Sequence, residues 1–95
     1  MPRKNQSPAL QNQEQLEDVL KRVKRAEGQI AGVIRMLEES RSCEEVVHQM
    51  AAVGKAMNTA AITLIASSLE ECILDNKRNN PEQRERLQKL FLSLA

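Results

Sequence analysis

From Cys43 to about Asn76 the chain runs for roughly 34 residues with no proline and with one glycine, Gly54. Apolar residues recur along it at Val46, Met50, Val53, Met57, Ala60 and Leu64, the three-and-four spacing of a helix face. Its start is marked by Ser42-Cys43-Glu44-Glu45, where Ser42 can cap the Glu45 amide and Glu45 can reach back to the Ser42 amide. At 1.5 Å per residue this is a helix of ~50 Å. A chain of 95 residues cannot wrap so long a rod, so other subunits must cover it. The filling is aliphatic, since Phe91 is the only aromatic side chain. Three glycines and three prolines supply too few tight turns for a sandwich or barrel. The expected fold is all-α, a three-helix subunit around a long second helix.

Residues 1–13 are almost wholly polar and read as a flexible N-terminal tail, leaving 14–95 as a single helical domain. From Leu16 the apolar positions follow a heptad, with Leu16, Val23, Ile30 and Leu37 at one position and Val19, Ala26 and Val33 at the other. Gly28 and Gly32 interrupt this first helix four residues apart, which suggests that another backbone approaches there. A third helix opens with Asn80 as cap and Pro81 in its first turn, and carries Leu87, Leu90, Phe91 and Leu94 along one side. No stretch approaches the ~20 apolar residues of a membrane span, and the first residues are too polar for a signal peptide, so a cytoplasmic protein without a membrane partner is expected.

Charge is divided unevenly. Residues 1–35 hold seven Lys or Arg against four acids, and residues 36–95 hold seven against nine. An anionic partner would therefore dock on the first helix, where Lys21, Arg22, Lys24 and Arg25 surround Val23. The two cysteines, Cys43 and Cys72, stand 29 residues apart on the second helix, ~43 Å end to end, so they cannot bond within one chain. Yet 29 steps of a helix end only about 20° past a whole number of turns, so both thiols share a face. Two such helices packed antiparallel bring Cys43 of one to Cys72 of the other, about a dyad between Met57 and Asn58 where Ala56, Ala60 and Ala61 permit a close crossing. His48 is rotated ~140° from Cys43 and reads as a solvated residue rather than a ligand. Met36, Met50 and Met57 read as core filling. Glu70 and Glu71, being adjacent, point to different sides and form no acid/base pair, and no nucleophile triad or phosphate loop is visible. Neither an enzyme nor a cofactor is expected.

The run Leu20-Lys21-Arg22-Val23-Lys24-Arg25-Ala26-Glu27-Gly28-Gln29-Ile30-Ala31-Gly32-Val33-Ile34-Arg35-Met36-Leu37-Glu38, followed by Cys43, Gln49-Met50-Ala51-Ala52-Val53 and Leu69-Glu70-Glu71-Cys72, resembles the copper-sensing (CsoR) and formaldehyde or nickel (FrmR/RcnR) repressor family. The resemblance implies an antiparallel four-helix-bundle dimer, a dimer of dimers, and operator DNA bound without a helix-turn-helix. It assigns phosphate contact to Arg22 and Arg25, with Lys21 beside them and Gln29 one turn on. Many members carry an arginine where Thr59 stands, and Lys55, one turn earlier, can take its place. Copper sensors of the family ligate with a Cys at the start of the second helix, a later Cys, and a His four residues before that later Cys. Here the intermediate position is Ser68, a poor donor for Cu(I), so no metal site is expected. Two cysteines without that histidine resemble the persulfide-sensing CsoR-like sulfurtransferase repressors, in which the inducer is a reactive sulfur species and the switch would be Cys43 with Cys72 of a neighbour. The expected function is thus a homotetrameric repressor released from DNA by sulfur cross-linking. The alternatives are a metal-responsive repressor, a formaldehyde-responsive one using Pro2 and Cys43, and a structural helical module.

Overall fold

The computed structural model describes residues 9–74 and 80–95. Three helices account for nearly all of them, α1 (Gln13–Glu38), α2 (Cys43–Leu74) and α3 (Pro81–Leu94), and there is no strand among the described residues. The all-α expectation therefore holds. The expected end of α2 near Asn76 and the proposed role of Pro2 lie outside the described residues.

Each described helix start has a side-chain cap. Asn12 Oδ1 accepts from the Gln15 amide at 3.0 Å and opens α1, and Asn80 Oδ1 accepts from the Glu82 and Gln83 amides at 2.9 and 3.3 Å to open α3 ahead of Pro81. At α2 the Glu45 amide donates to Ser42 Oγ at 3.2 Å, as the sequence predicts. The return half of the expected box differs. Glu45 accepts from the Ser42 hydroxyl at 3.2 Å and from Arg41 Nη1 at 2.8 Å, so its carboxylate is engaged by side chains and not by the Ser42 amide.

Between α1 and α2 the chain reverses through Ser40, whose φ of 57° is left-handed. The Ser40 amide donates to the Leu37 carbonyl at 3.2 Å and the Arg41 amide to the Met36 carbonyl at 3.0 Å, the paired bonds that close a helix C-terminus. Serine occupies the position that usually selects glycine.

α1 and α3 each pack on α2, and α2 sets the long axis of a molecule measuring 53 × 27 × 22 Å. The interior is thin. It consists of Leu10, Val19, Ala26, Val46, Ala60, Ile65, Ser68 and Cys72. Of the two heptad positions of α1, Val19 and Ala26 face α2, whereas Val23, Ile30 and Leu37 are exposed in the single subunit. Ile34, Val47, Met50, Met57, Ile73, Leu74, Leu90 and Leu92 are exposed as well. The chain alone does leave most of its long helix uncovered.

Three expectations are corrected. First, no backbone approaches the α1 glycines within the subunit: a side chain at Gly28 would meet nothing within 4 Å, and at Gly32 only Arg35 Nη2 at 3.9 Å. Second, a structureless tail does not describe residues 9–12, because Leu10 is 3 % exposed and the two following amides are bound to α2. Third, α2 is long and apolar enough, by length and composition alone, to cross a membrane. Between Val46 and Leu69 its one charged residue is Lys55, a composition that the core helix of a soluble protein shares with a membrane span.

Candidate functional site

The thiols occupy opposite ends of α2 and opposite environments. Cys43 is the first helical residue and is exposed, whereas Cys72, near the described end, is 0 % exposed. Both are free, and the unbroken helix between them keeps them ~43 Å apart. One turn before Cys72 stands Ser68, 7 % exposed, on the same buried side of α2. It is the position at which the sequence resemblance calls for histidine. Among the described residues no three of His, Cys, Asp and Glu gather into a group able to hold a metal. His48 is solvated, 3.9 Å from Glu44, and belongs to neither thiol.

The end of α2 beside Cys72 also receives the chain ahead of α1. Glu71 Oε1 and Oε2 accept from the Gln11 amide at 2.8 and 3.1 Å, and Oε2 accepts from the Asn12 amide at 2.9 Å. One turn into α1, Gln15 Nε2 lies 3.5 Å from Glu70 Oε2. Nothing in the sequence announces this clamp, which joins residues about sixty positions apart.

Four of the five residues read as DNA-contacting share one concavity. Arg22, Arg25 and Gln29 from α1 meet Lys55 and Thr59 from α2 around a groove of about 300 Å³. The periodicity explains it: positions 22, 25 and 29 of α1 form one helical stripe, and 55 and 59 of α2 another. Lys21, the fifth, is exposed on α1 outside that groove. Past Arg25 and Gln29 a second groove of about 430 Å³ continues over Gly28 and Gly32 to Arg35, Arg41 and Gln49. The sequence assigns a site role neither to Arg35, which lies in the run resembling the family, nor to Arg41. The glycine pair was their signal, since the space it opens is the floor of this groove.

The cations differ in how they are held. Arg22 Nε lies 3.3 Å from Asp18, and Arg41 bridges Glu39 at 3.6 Å and Glu45 at 2.8 Å. Among the described residues Arg25, Arg35 and Lys55 have no ion pair, so their charge is available to an outside anion. Gln29 Oε1 is buried without a hydrogen-bond partner. An amide oxygen only accepts hydrogen bonds, so any bond from Gln29 to an anion would come from its NH₂.

Over residues 15–93 the sequence matches the family of metal-sensitive transcriptional repressors. The chain belongs to this family. Among its relatives is the copper-sensing transcriptional repressor RicR of Mycobacterium tuberculosis (strain ATCC 25618 / H37Rv), 37 % identical over 60 residues that make up 63 % of this chain and 62 % of that protein. The copper-sensing transcriptional repressor CsoR of Bacillus subtilis (strain 168) is 34 % identical over 59 residues, 62 % of this chain and 58 % of the relative. CsoR of Mycobacterium ulcerans (strain Agy99) is 38 % identical over 53 residues, 56 % and 45 %. This member of the metal-sensitive repressors thus spans less than two thirds of the length of the curated relatives it matches. No solved structure matches it significantly. The family is one of transcriptional repressors and not of enzymes.

Proposed function

We propose that this chain is a cytoplasmic, DNA-binding transcriptional repressor, a dimer of antiparallel dimers, that leaves its operator when reactive sulfur species join Cys43 of one subunit to Cys72 of another. The observation that carries the reading is the pair of thiols at the two ends of α2, in phase with each other and with Ser68 in place of an imidazole. The family match supports the repressor part. The exposed apolar side chains of α1 and α2 support oligomerisation, since burying each one fully is worth ~1.5–3 kcal/mol.

In this mechanism the exposed thiol reacts first. Cys43 thiolate attacks the sulfane sulfur of a persulfide RSSH, forming a Cys43 persulfide and releasing RSH. The Cys72 thiolate of the neighbouring subunit then attacks the Cys43 sulfur, forms the bridge and expels H₂S. If both cysteines are persulfidated first, the same step leaves a trisulfide. Reduced protein binds DNA through Arg22, Arg25, Gln29 and Lys55, with Lys21 beside them and Arg35 extending the path. The bridge fixes subunits in an arrangement whose four basic faces no longer match the operator.

The named relatives favour a second reading, a copper-responsive repressor in which the two thiolates alone hold Cu(I). Intact-mass analysis after a persulfide donor, run beside a Cu(I) titration against a strong chelator, separates the two. Sulfur-bridged subunits with weak Cu(I) binding support sulfur sensing. Unreacted thiols with Cu(I) held against the chelator overturn it in favour of copper.

A further inference from the structure

Cys72 has no exposed surface, so neither a reagent nor a partner's thiol reaches it without movement. At that end of α2 the chain ahead of α1, residues 9–12, is held against the helix. Leu10 is plugged into the subunit, and the Gln11 and Asn12 amides, which precede α1, are given to the carboxylate of Glu71. These are charge-assisted bonds to a residue adjacent to the thiol. Asn12 has a second task, because its Oδ1 accepts the Gln15 amide and caps α1. One residue is therefore bonded through its backbone to the neighbour of Cys72 and through its side chain to the helix that carries Arg22 and Arg25.

We propose that residues 9–12 are a lid on Cys72, latched by Glu71, and that opening it loosens the N-terminus of α1. A sulfur atom or larger group added to Cys72 has no room at a side chain with no exposed surface, so the adduct and the closed lid exclude one another. Lifting the lid withdraws Asn12 from Glu71 and with it the geometry of the α1 cap. The first turn of α1 then frays, and Arg22 lies ~10 Å further along the same helix from Gln15. The biological meaning rests on Cys72 being part of the switch, but the gate itself does not.

The test uses reduced full-length protein, iodoacetamide as probe, and peptide mass analysis to time the labelling of each thiol, with exposed Cys43 as the internal reference. Cys72 should label at least about tenfold more slowly than Cys43. Glu71→Gln and Leu10→Ala should each speed Cys72 labelling by at least about threefold and leave Cys43 unchanged, with helical content retained. Hydrogen exchange on wild type provides a readout independent of any variant's folding: alkylation of Cys72 should speed exchange at the Gln11, Asn12 and Gln15 amides. Equal labelling of the two thiols in wild type, unchanged Cys72 labelling in both folded variants, or unchanged exchange after alkylation would each overturn the lid. Since neither DNA nor a sulfur donor is present, failure here is distinct from failure of the repressor reading.

Discussion

At the scale of single residues, function turns on a few side chains whose environments differ sharply along α2. Ser68 is one. It sits buried a turn before Cys72, where, in the proposed antiparallel dimer, an imidazole would complete a two-sulfur, one-nitrogen Cu(I) site with Cys43 of a neighbour. Ser68→His should therefore raise Cu(I) affinity by well over about tenfold in competition with a chelator, and equal tight binding by wild type would remove the reason for setting metal sensing second. Arg22 and Arg25 are others. They line one groove with Lys55, and on the proposed DNA face Arg22→Ala or Arg25→Ala should each lower DNA affinity and reduce the salt slope by about one. Arg25 is free of ion pairs among the described residues whereas Arg22 is held by Asp18, so Arg25→Ala should cost more. Filter binding at several salt concentrations checks both, and unchanged affinity in both would move the DNA face elsewhere.

At the scale of the element, the helix ends were more legible than the helix faces. Asn80-Pro81 and Ser42-Cys43-Glu44-Glu45 name their starts because capping is a local interaction, complete within four residues. The end of α1 is different. Its two closing bonds need a left-handed residue at position 40, and a serine there bears a steric cost that glycine avoids. Ser40→Gly should accordingly stabilise the protein by ~0.5–1 kcal/mol, read as a higher denaturation midpoint at an unchanged slope. A lower midpoint would mean that the serine does something the turn geometry does not reveal.

At the scale of the whole molecule, a 53 Å subunit leaves Ile34, Leu37, Met50 and Met57 exposed, and the proposed dimer of dimers would bury them. The continuous α2 forbids an intrachain bridge, so a persulfide donor should convert the protein to a reductant-sensitive dimer band on a denaturing gel and release operator DNA. Cys43→Ala should abolish both effects while leaving binding by the reduced protein largely intact. A monomeric oxidised band, or a peptide linking Cys43 to Cys72 of the same chain, would refute both the switch and the continuous helix.

Whatever short-range chemistry governs was legible along the chain. The apolar spacing around Val46 to Leu64, the caps at Ser42 and Asn80, and the phase of Cys43 with Cys72 all follow from helix geometry acting over consecutive residues. The family resemblance, not spacing, singled out Arg22, Arg25, Gln29 and Lys55, and they line one groove because α1 and α2 are consecutive and their hairpin leaves few ways to pair. What depends on residues far apart emerged only in the folded subunit. The glycines of α1 read as a seat for another backbone, but in the subunit they floor an open groove beside Arg35. Leu10, Gln11 and Asn12 read as part of a tail, yet Leu10 is buried and a carboxylate some sixty residues away, next in sequence to the buried Cys72, holds the two following amides against α2. No local pattern encodes that contact, since one buried leucine and two backbone amides carry no signature until the fold brings Glu71 to them.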